Sequence, residues 1–275
     1  MKMNFKYIKF KYIFMIIVSV ITCLTLCGCN VDFDIDDAID AASNLYDIYD
    51  SYNDHDDSSD SSDSNNFDLL DSELMNHNSY NNTAYVVINN NKPFFDAELY
   101  KNSDVFESYS DLDSLNRPGV AFALLSQETM PGPDEERGAI GNIKPAGWHS
   151  VKYDIVNGKY LYNRCHLIGW QLSAENDNEK NLITGTRYLN IDGMLDFENQ
   201  IADYLYDDPD NKVLYRVTPI YKNDNLICEG LLIEAKSFDD LDNDYIDSTI
   251  EFCIFCYNVQ PGIFIDYATG DSYEK

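Results

Sequence analysis

The N-terminal stretch of the chain combines a basic flank with an apolar run. Tyr12 to Leu26 is an almost uninterrupted hydrophobic segment of 15 residues, and four lysines precede it, at positions 2, 6, 9 and 11. A membrane-spanning helix needs about 20 apolar residues, so this segment is short for a span. A basic flank followed by a short apolar run is typical of a secretory signal peptide. We therefore assign residues 1–28 to a leader that lies outside the fold.

The apolar run ends in Leu26-Cys27-Gly28-Cys29, which resembles the signal of a bacterial lipoprotein. The resemblance implies cleavage before Cys29 and attachment of a lipid to its thiol. The mature chain would then be tethered to the outer face of the bacterial cell membrane. A plain secretory leader and an uncleaved signal anchor are the alternatives.

Acidic and small polar side chains dominate residues 29–79. The tract from Asp56 to Asn66 consists only of aspartate, serine and asparagine. Such a composition cannot bury enough apolar surface to order itself. We predict that residues 29–79 form a disordered, self-repelling tether, and that residues 80–275 form the folded domain.

Beyond residue 80 the pattern changes to short β-rich runs with one helical segment. Apolar residues recur at helical spacing in Phe197–Tyr206. Phe94-Phe95 is expected to begin a partner for the first β-rich run, and Lys222–Asn225 is expected to close a hairpin. The β-rich runs are Ala84–Ile88, Gly119–Leu125, Lys159–Tyr162, Val213–Tyr221, Leu226–Ala235, Phe252–Val259 and Ile263–Tyr267. Strands before and after a central helix, with hairpin-length connections, favour an α+β fold with an antiparallel sheet.

The charge of the chain is unfavourable for a polyanionic partner, but it is unevenly distributed. The whole chain carries −29, and residues 80–275 carry 15 Lys and Arg against 33 Asp and Glu, a net charge of −18. Residues 138–190 carry six basic and four acidic side chains, a net charge of +2. A polyanion could be accepted by this stretch, although long-range electrostatic steering toward it is not expected.

Four cysteines remain after the leader and Cys29, and they are Cys165, Cys228, Cys253 and Cys256. Cys253 and Cys256 have CxxC spacing within a β-rich run. Residues i and i+3 of a strand point to opposite faces, which is poor geometry for a shared zinc ion or a redox pair. We favour buried thiols over a zinc site. Outside the membrane disulfides are permitted, and the sequence leaves open whether any of the four thiols pair.

One histidine is followed by a set of polar residues that suits phosphodiester cleavage. His166 precedes Asn181 by 15 residues, and Asn190 and Glu198 follow. Histidine can take a proton from water near neutral pH. Asparagine and water oxygens can hold Mg²⁺, a hard cation that keeps much of its hydration shell. The remaining histidines are less informative, and His149 in particular is expected to be structural.

Three segments around these residues resemble the DNA/RNA non-specific endonucleases. These are ββα-metal, or His-Me finger, nucleases with a DRGH motif, and the tail of the chain resembles their bacterial secreted branch. The fold implied is a central antiparallel sheet flanked by helices. The segments are Asn163-Arg164-Cys165-His166, Asn181 to Asn190, and Phe197-Glu198-Asn199, with the tail segments Val217–Tyr221 and Tyr257–Gly262.

The resemblance also implies a role for each matching residue. His166 matches the general base that activates water, and Asn190 matches the direct ligand of Mg²⁺. Asn181 matches the asparagine that supports the histidine and the scissile phosphate. Glu198 matches the acid that holds the metal through bound water. Arg164 matches the motif arginine, near the phosphate or in the shell that supports the site.

The chain departs from the family motif at two positions. Asn163 stands where the family has aspartate, which weakens any role of this position in orienting His166. Cys165 stands where the family has glycine, and it requires an ordinary backbone conformation. Two further arginines, Arg187 and Arg216, are candidates for contact with substrate phosphates, with surface ion pairs as the alternative.

The sequence therefore predicts a membrane-tethered, Mg²⁺-dependent endonuclease that hydrolyses DNA and RNA outside the cell without sequence specificity. Mn²⁺ is expected to be able to replace Mg²⁺. A surface lipoprotein that retains the fold and binds nucleic acid or a protein partner without cleaving it is the alternative. The departures at Asn163 and Cys165 and the net negative charge support that alternative.

Overall fold

The computed structural model describes residues 75–238 and 250–275. The predicted leader, the lipidation site Cys29 and residues 29–74 of the predicted tether lie outside this range. In the part of the chain that is described, no helix has both the length and the apolar character needed to cross a membrane.

A six-stranded antiparallel sheet forms the centre of the domain, in the order β1-β8-β7-β6-β3-β2. Its strands are β1 Tyr85–Val87, β2 Phe106–Tyr109, β3 Ala121–Leu125, β6 Val213–Ile220, β7 Gly230–Ser237 and β8 Glu251–Tyr257. The predicted hairpin is β6–β7, and its register pairs Val213 with Ser237 and Ile220 with Gly230. The expectation of an α+β fold with an antiparallel sheet is confirmed.

Two smaller antiparallel ribbons accompany the sheet. One pairs β4, Tyr162–His166, with β5, Leu182–Thr186. The other pairs β9, Ile263–Ile265, with β10, Ser272–Glu274. The motif histidine is therefore the last residue of a strand, whereas the sequence placed it just after one.

In the described residues two α-helices and a π-helical segment accompany the first ribbon. The four-residue helix α1, Trp170–Ser173, lies between β4 and β5. A π-helical segment, Leu189–Met194, follows β5 and continues into α2, Leu195–Asp207. Ile201 and Leu205 of α2 are fully buried, as their helical spacing predicts. The order β4, β5, α2 is the ββα arrangement expected from the resemblance.

The ββα unit packs on one face of the six-stranded sheet. Cys165, Ile183 and Leu189 share a hydrophobic cluster with Tyr215 and Ile233 of the central strands. Because alternate residues of a strand point to opposite faces, the residues between them in β6 and β7 lie on the other face. Cys256 belongs to the cluster under the ββα unit and Cys253 to a cluster on the opposite face, so the CxxC pair is divided as predicted. All four described cysteines are buried and free.

The expectation that helices flank the sheet is wrong for the second face. Within residues 75–238 and 250–275, α2 is the only helix longer than four residues, apart from the π-helical segment that leads into it. The second face is covered instead by the irregular segment before β2, which contains short 3₁₀ turns. The predicted strand at Phe94-Phe95 does not form. Asn89, Asn90 and Asn91 all have positive φ, a conformation that asparagine tolerates and that ends an extended strand.

Residues just before the predicted boundary at residue 80 also pack on the domain. Met75 is buried with 4% of its surface exposed, and the ring of His77 stacks on Tyr267 at 4.0 Å. The backbone N–H of His77 donates to Glu229 at 3.1 Å. These contacts attach the last residues of the predicted tether to the domain. Met75 follows the apolar residues Phe67, Leu69, Leu70 and Leu74, so the acidic tract does not represent the composition of this end of residues 29–79.

Candidate active site

His166 lies at the end of β4 with only 6% of its surface exposed. Its Nε2 atom is 2.9 Å from the backbone carbonyl oxygen of Asn176. A carbonyl oxygen only accepts hydrogen bonds, so Nε2 carries the proton and donates it. In the neutral imidazole this leaves Nδ1 with a free lone pair, which is the atom that can take a proton.

Arg137 faces this lone pair. Its Nη2 atom lies 3.2 Å from His166 Nδ1, and the residue is exposed in the loop between β3 and β4. Burial is the main cause that lowers the pKa of His166, and the charge of Arg137 lowers it further. The hydrogen bond to Asn176 opposes the shift. His166 is therefore held in its neutral form, and a cationic group stands beside its basic nitrogen.

Glu198 projects from the first turn of α2 toward the start of α1. The backbone N–H of Gly169, the residue before α1, donates to its carboxylate. A Cβ atom on Gly169 would lie 2.7 Å from Oε1 of Glu198, so the close approach requires glycine. Burial raises the pKa of Glu198 to about 7, against opposing effects of Arg137 and Gly169. One guanidinium thus acts electrostatically on both the histidine and the acid.

Asn190 lies in the π-helical segment, partly exposed, and its Oδ1 atom accepts a hydrogen bond from the thiol of Cys165 at 3.1 Å. Cys165 occupies the glycine position of the family motif, but its backbone is an ordinary strand. Gly185 on β5 leaves the space that the side chain of Cys165 occupies, because a Cβ atom added at Gly185 would lie 2.6 Å from the Cβ of Cys165. The departure from the motif is therefore compensated on the neighbouring strand.

Asn181 is completely buried and holds the backbone that follows His166. Its Oδ1 accepts from the N–H of Ile168 at 2.9 Å, and its Nδ2 donates to the carbonyl oxygen of the same residue at 3.0 Å. The amide oxygen and one N–H of the amide nitrogen are used in these internal bonds. The geometry fits support of the loop between His166 and α1.

The polar groups at the site fit a hydrated divalent cation. Residues 75–238 and 250–275 contain no cluster of three or more His, Cys, Asp or Glu side chains that could enclose a metal ion. Asn190 offers one partly exposed amide oxygen, and the carboxylate of Glu198 is poorly stabilised in its charged form. Mg²⁺ usually keeps several waters and takes few protein ligands. The donor set is therefore compatible with one direct oxygen ligand and a carboxylate that acts through water.

Arg164 holds the loop before β4. Its Nε donates to the carbonyl of Ile143 and its Nη2 to that of Gly141, the latter at 2.8 Å. Its guanidinium stacks over the ring of Trp148 at 4.1 Å. These contacts place the motif arginine in a supporting position.

Asn163 and Arg187 contact each other near the end of the β4–β5 ribbon where Tyr162 pairs with Thr186. Nη1 of Arg187 is 3.4 Å from Oδ1 of Asn163. The orientation of His166 comes from the carbonyl of Asn176, so the change from aspartate to Asn163 does not remove the group that holds the base.

Arg216 makes the ion pair that was the alternative to a contact with substrate phosphate. Its guanidinium makes a bidentate ion pair with Glu234, with Nε–Oε2 at 2.6 Å and Nη2–Oε1 at 2.9 Å. It also packs over Phe95, on the face of the sheet opposite the ββα unit. The cross-strand register that pairs Arg216 with Glu234 explains this position.

Three contributors to the site were missed from the sequence. Arg137 and Asn176 belong to loops whose approach to His166 depends on the tertiary fold. Gly169 follows the motif directly in Leu167-Ile168-Gly169, and a glycine just before a helix was the only available signal. His149, expected to be structural, bonds through Nε2 to the carbonyl of Thr269 at 3.1 Å.

Comparison with known protein families gives one match to this arrangement. Residues 98–239 match the family described as DNA/RNA non-specific endonuclease, which is just over half of the 275-residue chain. The matched region contains β2 to β7 and with them the whole ββα unit.

Solved nuclease structures share the fold. NucA from Streptococcus agalactiae with no metal bound is 26% identical, with a TM-score of 0.59, over 71% of this chain and 89% of NucA. A magnesium-bound structure of NucA is 24% identical over 70% of this chain and 89% of NucA, with a TM-score of 0.59. The Sda1 nuclease with a bound zinc ion is 23% identical over 70% of this chain and 97% of Sda1, with a TM-score of 0.56. With the family match, these findings establish that the chain belongs to the DNA/RNA non-specific endonuclease family, whose members hydrolyse phosphodiester bonds.

Proposed function

We propose that this protein is a divalent-metal-dependent endonuclease in which His166 is the general base. The observation that carries the proposal is the hydrogen bond from Nε2 of His166 to the carbonyl of Asn176. This bond leaves Nδ1 unprotonated, and the lowered pKa keeps it so at neutral pH. A positioned base of this kind can accept the proton of a water molecule that attacks phosphorus.

Arg137 supplies the positive charge at the same place. Its guanidinium is exposed and within hydrogen-bond distance of His166 Nδ1. Phosphodiester hydrolysis increases the negative charge on the phosphoryl oxygens, and a cation placed there in advance stabilises the transition state. Arg137 would bind a phosphate oxygen and leave Nδ1 to the attacking water.

Asn190 and Glu198 would hold Mg²⁺, the first through its amide oxygen and the second through bound water. The ion would offset the charge that develops on the phosphate and on the leaving oxygen. Cys165 would fix the direction of the Asn190 oxygen through its thiol hydrogen bond. A magnesium ion in one NucA structure supports this choice of metal, and Mn²⁺ is expected to substitute for it.

The substrate would be DNA and RNA without sequence preference. The groups assembled here, one imidazole, one guanidinium and a carboxamide, recognise the phosphate backbone and carry no code for the bases. We also propose that the leader and a lipid on Cys29 tether the enzyme to the outer face of the membrane. The resemblance of residues 26–29 to a lipoprotein signal supports this location.

The inactive-lipoprotein alternative draws less support from the structure than from the sequence. Cys165 is accommodated by Gly185, and Asn163 is not the group that orients His166.

A nicking assay on supercoiled plasmid and on a structured RNA tests the proposal. The wild-type protein should cleave both with Mg²⁺ and neither in excess EDTA. His149→Ala is the matched control for His166→Ala, because His149 bonds to a surface turn. Equal cleavage by wild type in EDTA would refute the metal requirement, and absence of cleavage under all metal conditions would favour the binding-only alternative.

A further inference from the structure

An open cleft lies at the end of the β4–β5 ribbon that is distant from His166. Its volume is roughly 610 Å³, within the range of about 300–1,000 Å³ usual for small-molecule sites. Trp148 and Tyr160 provide aromatic surface, and Asn163, Arg164 and Arg187 provide polar groups. No aspartate or glutamate is among the described residues that line it. The whole chain has a net charge of −29 and would repel anions, whereas this cleft has two arginines and no carboxylate. The cleft is therefore a favourable place for an anionic ligand.

The arginines of the chain divide into two classes by their partners. Arg117 and Arg216 are neutralised by Asp113 and Glu234. The other three arginines make no ion pair with a carboxylate in the portion of the chain that is described, and they are Arg137, Arg164 and Arg187. One of these three stands at His166 and the other two line the cleft. The uncompensated guanidinium charge is therefore concentrated along the ββα unit.

The side chain of Arg187 is only partly satisfied inside the protein. It makes one hydrogen bond, the 3.4 Å contact with Asn163, and its Nε atom is buried without a partner among residues 75–238 and 250–275. A guanidinium that lacks a carboxylate partner can bind a phosphate through paired N–H donors.

The aromatic side of the cleft is built in advance. Tyr160 is 47% exposed, and the Nζ atom of Lys152 lies 4.3 Å from its ring centre. The segment that carries it folds back on itself through the bridge between Lys152 and Tyr160. Val156 and Leu161 of this segment are buried in a separate hydrophobic cluster with β9. The ring is thus presented from a packed element, which lowers the entropic cost of stacking a base on it.

We propose that the cleft binds one unpaired nucleotide of the substrate strand, with its phosphate on Arg187 and its base against Tyr160. The proposal rests on the nuclease function and adds to it a subsite away from the scissile bond. Asn163 and His166 are three positions apart on β4, which is about 10 Å at the rise of a strand. This distance corresponds to a nucleotide a few positions from the cleaved bond. Stacking on an exposed base requires single-stranded character, so the subsite favours single strands or locally opened duplex.

Binding of a short oligothymidylate to the full-length protein tests this proposal. His166→Ala and excess EDTA prevent cleavage, and Trp170→Phe leaves Trp148 as the single tryptophan, since the chain has two. We expect the oligonucleotide to change the fluorescence of Trp148. Tyr160→Ala should weaken binding by about 5-fold or more, the loss usual for a stacked base, and Tyr160→Phe should retain it. The exposed Tyr206 provides the matched control, and Tyr206→Ala should bind as the parent does.

The salt dependence separates the phosphate contact from stacking. On single strands each neutralised phosphate contributes about 0.7 to the slope of log K against log salt. Arg187→Ala should therefore reduce the magnitude of the slope by about 0.7, whereas Tyr160→Ala should leave the slope unchanged. Lys101→Ala removes an exposed cation outside the cleft and is the control, and it should leave both the slope and the affinity unchanged.

Two results would overturn the subsite. One is binding that leaves Trp148 fluorescence and both cleft variants unaffected. The other is absence of binding by the parent, and cleavage of the same oligonucleotide by the wild-type protein would then show that the nuclease function stands without the subsite.

Discussion

At the scale of single residues, the chemistry depends on which nitrogen of His166 carries its proton. The carbonyl of Asn176 fixes the proton on Nε2, and burial with Arg137 lowers the pKa below its ordinary value of 6.5. A group with a lowered pKa stays neutral until the pH falls through that lower value. The base should therefore remain active at pH 6.5 and fail only in more acidic solution.

A pH profile of kcat/KM in saturating Mg²⁺ checks this expectation. The acid limb should lie below pH 6.5, and Arg137→Gln should move it to higher pH while lowering the rate, because the charge that depresses the pKa is removed. If Arg137→Gln leaves the acid limb at the same pH, Arg137 does not affect the pKa of the base.

Asn190 gives a second prediction at this scale. Asn190→Ala removes the one amide oxygen assigned to Mg²⁺, so half-maximal activity should require a higher Mg²⁺ concentration, with partial recovery at high concentration through Glu198 and water. Asn199→Ala is the matched control, because Asn199 is exposed on α2 and bonds to Gln171. A Mg²⁺ titration identical to wild type would show that Asn190 is not the ligand.

The sequence identified some of these residues and not others. His166, Asn190 and Glu198 could be proposed from the resemblance to the nuclease family, because they lie in motif segments within the ββα unit itself. Arg137 and Asn176 could not, since their positions depend on how two loops fold over the end of β4. For Arg216 a phosphate contact and an ion pair stayed open, because a single arginine in a strand pattern does not show which carboxylate faces it, here Glu234.

At the scale of secondary structure, periodicity predicted the elements with strong patterns. α2 and the β6–β7 hairpin lie where the sequence placed them, with shifts of a few residues at their ends. The path between β1 and β2 was not predicted, because its Asn-rich turns and scattered apolar residues have no regular period. Tertiary packing on the outer face of the sheet determines its path.

The contact between α1 and α2 gives a prediction at the same scale. A methyl group on Gly169 would meet the carboxylate of Glu198 at 2.7 Å, so Gly169→Ala must displace the acid or the start of α1. Activity should fall by about 10- to 100-fold, the usual effect of disturbing a group that supports a metal site. Gly132→Ala, with open space around the added atom, is the control. Unchanged kinetics and metal dependence in Gly169→Ala would contradict the assigned position of Glu198.

At the scale of the whole molecule, an acidic protein must bind a polyanion through few contacts. The chain carries −29, and only three of its five arginines are without a carboxylate partner in the described region. Three phosphate contacts on duplex DNA correspond to a slope of roughly −2 to −3 for log K against log salt. Fluorescence anisotropy of His166→Ala with labelled duplex at fixed Mg²⁺ measures this slope. A slope near −10, as for a protein with many phosphate contacts, would show a basic groove that the three arginines do not represent.

The central claim, that His166 is the proton acceptor, is tested most directly by single-turnover cleavage with chemical rescue. His166→Ala should lower the cleavage rate by about 10²–10⁴-fold at saturating Mg²⁺, the usual contribution of a general base. Free imidazole should restore part of that rate, with a pH dependence that follows the pKa of the added imidazole. Wild-type-like cleavage by His166→Ala without imidazole would contradict the account.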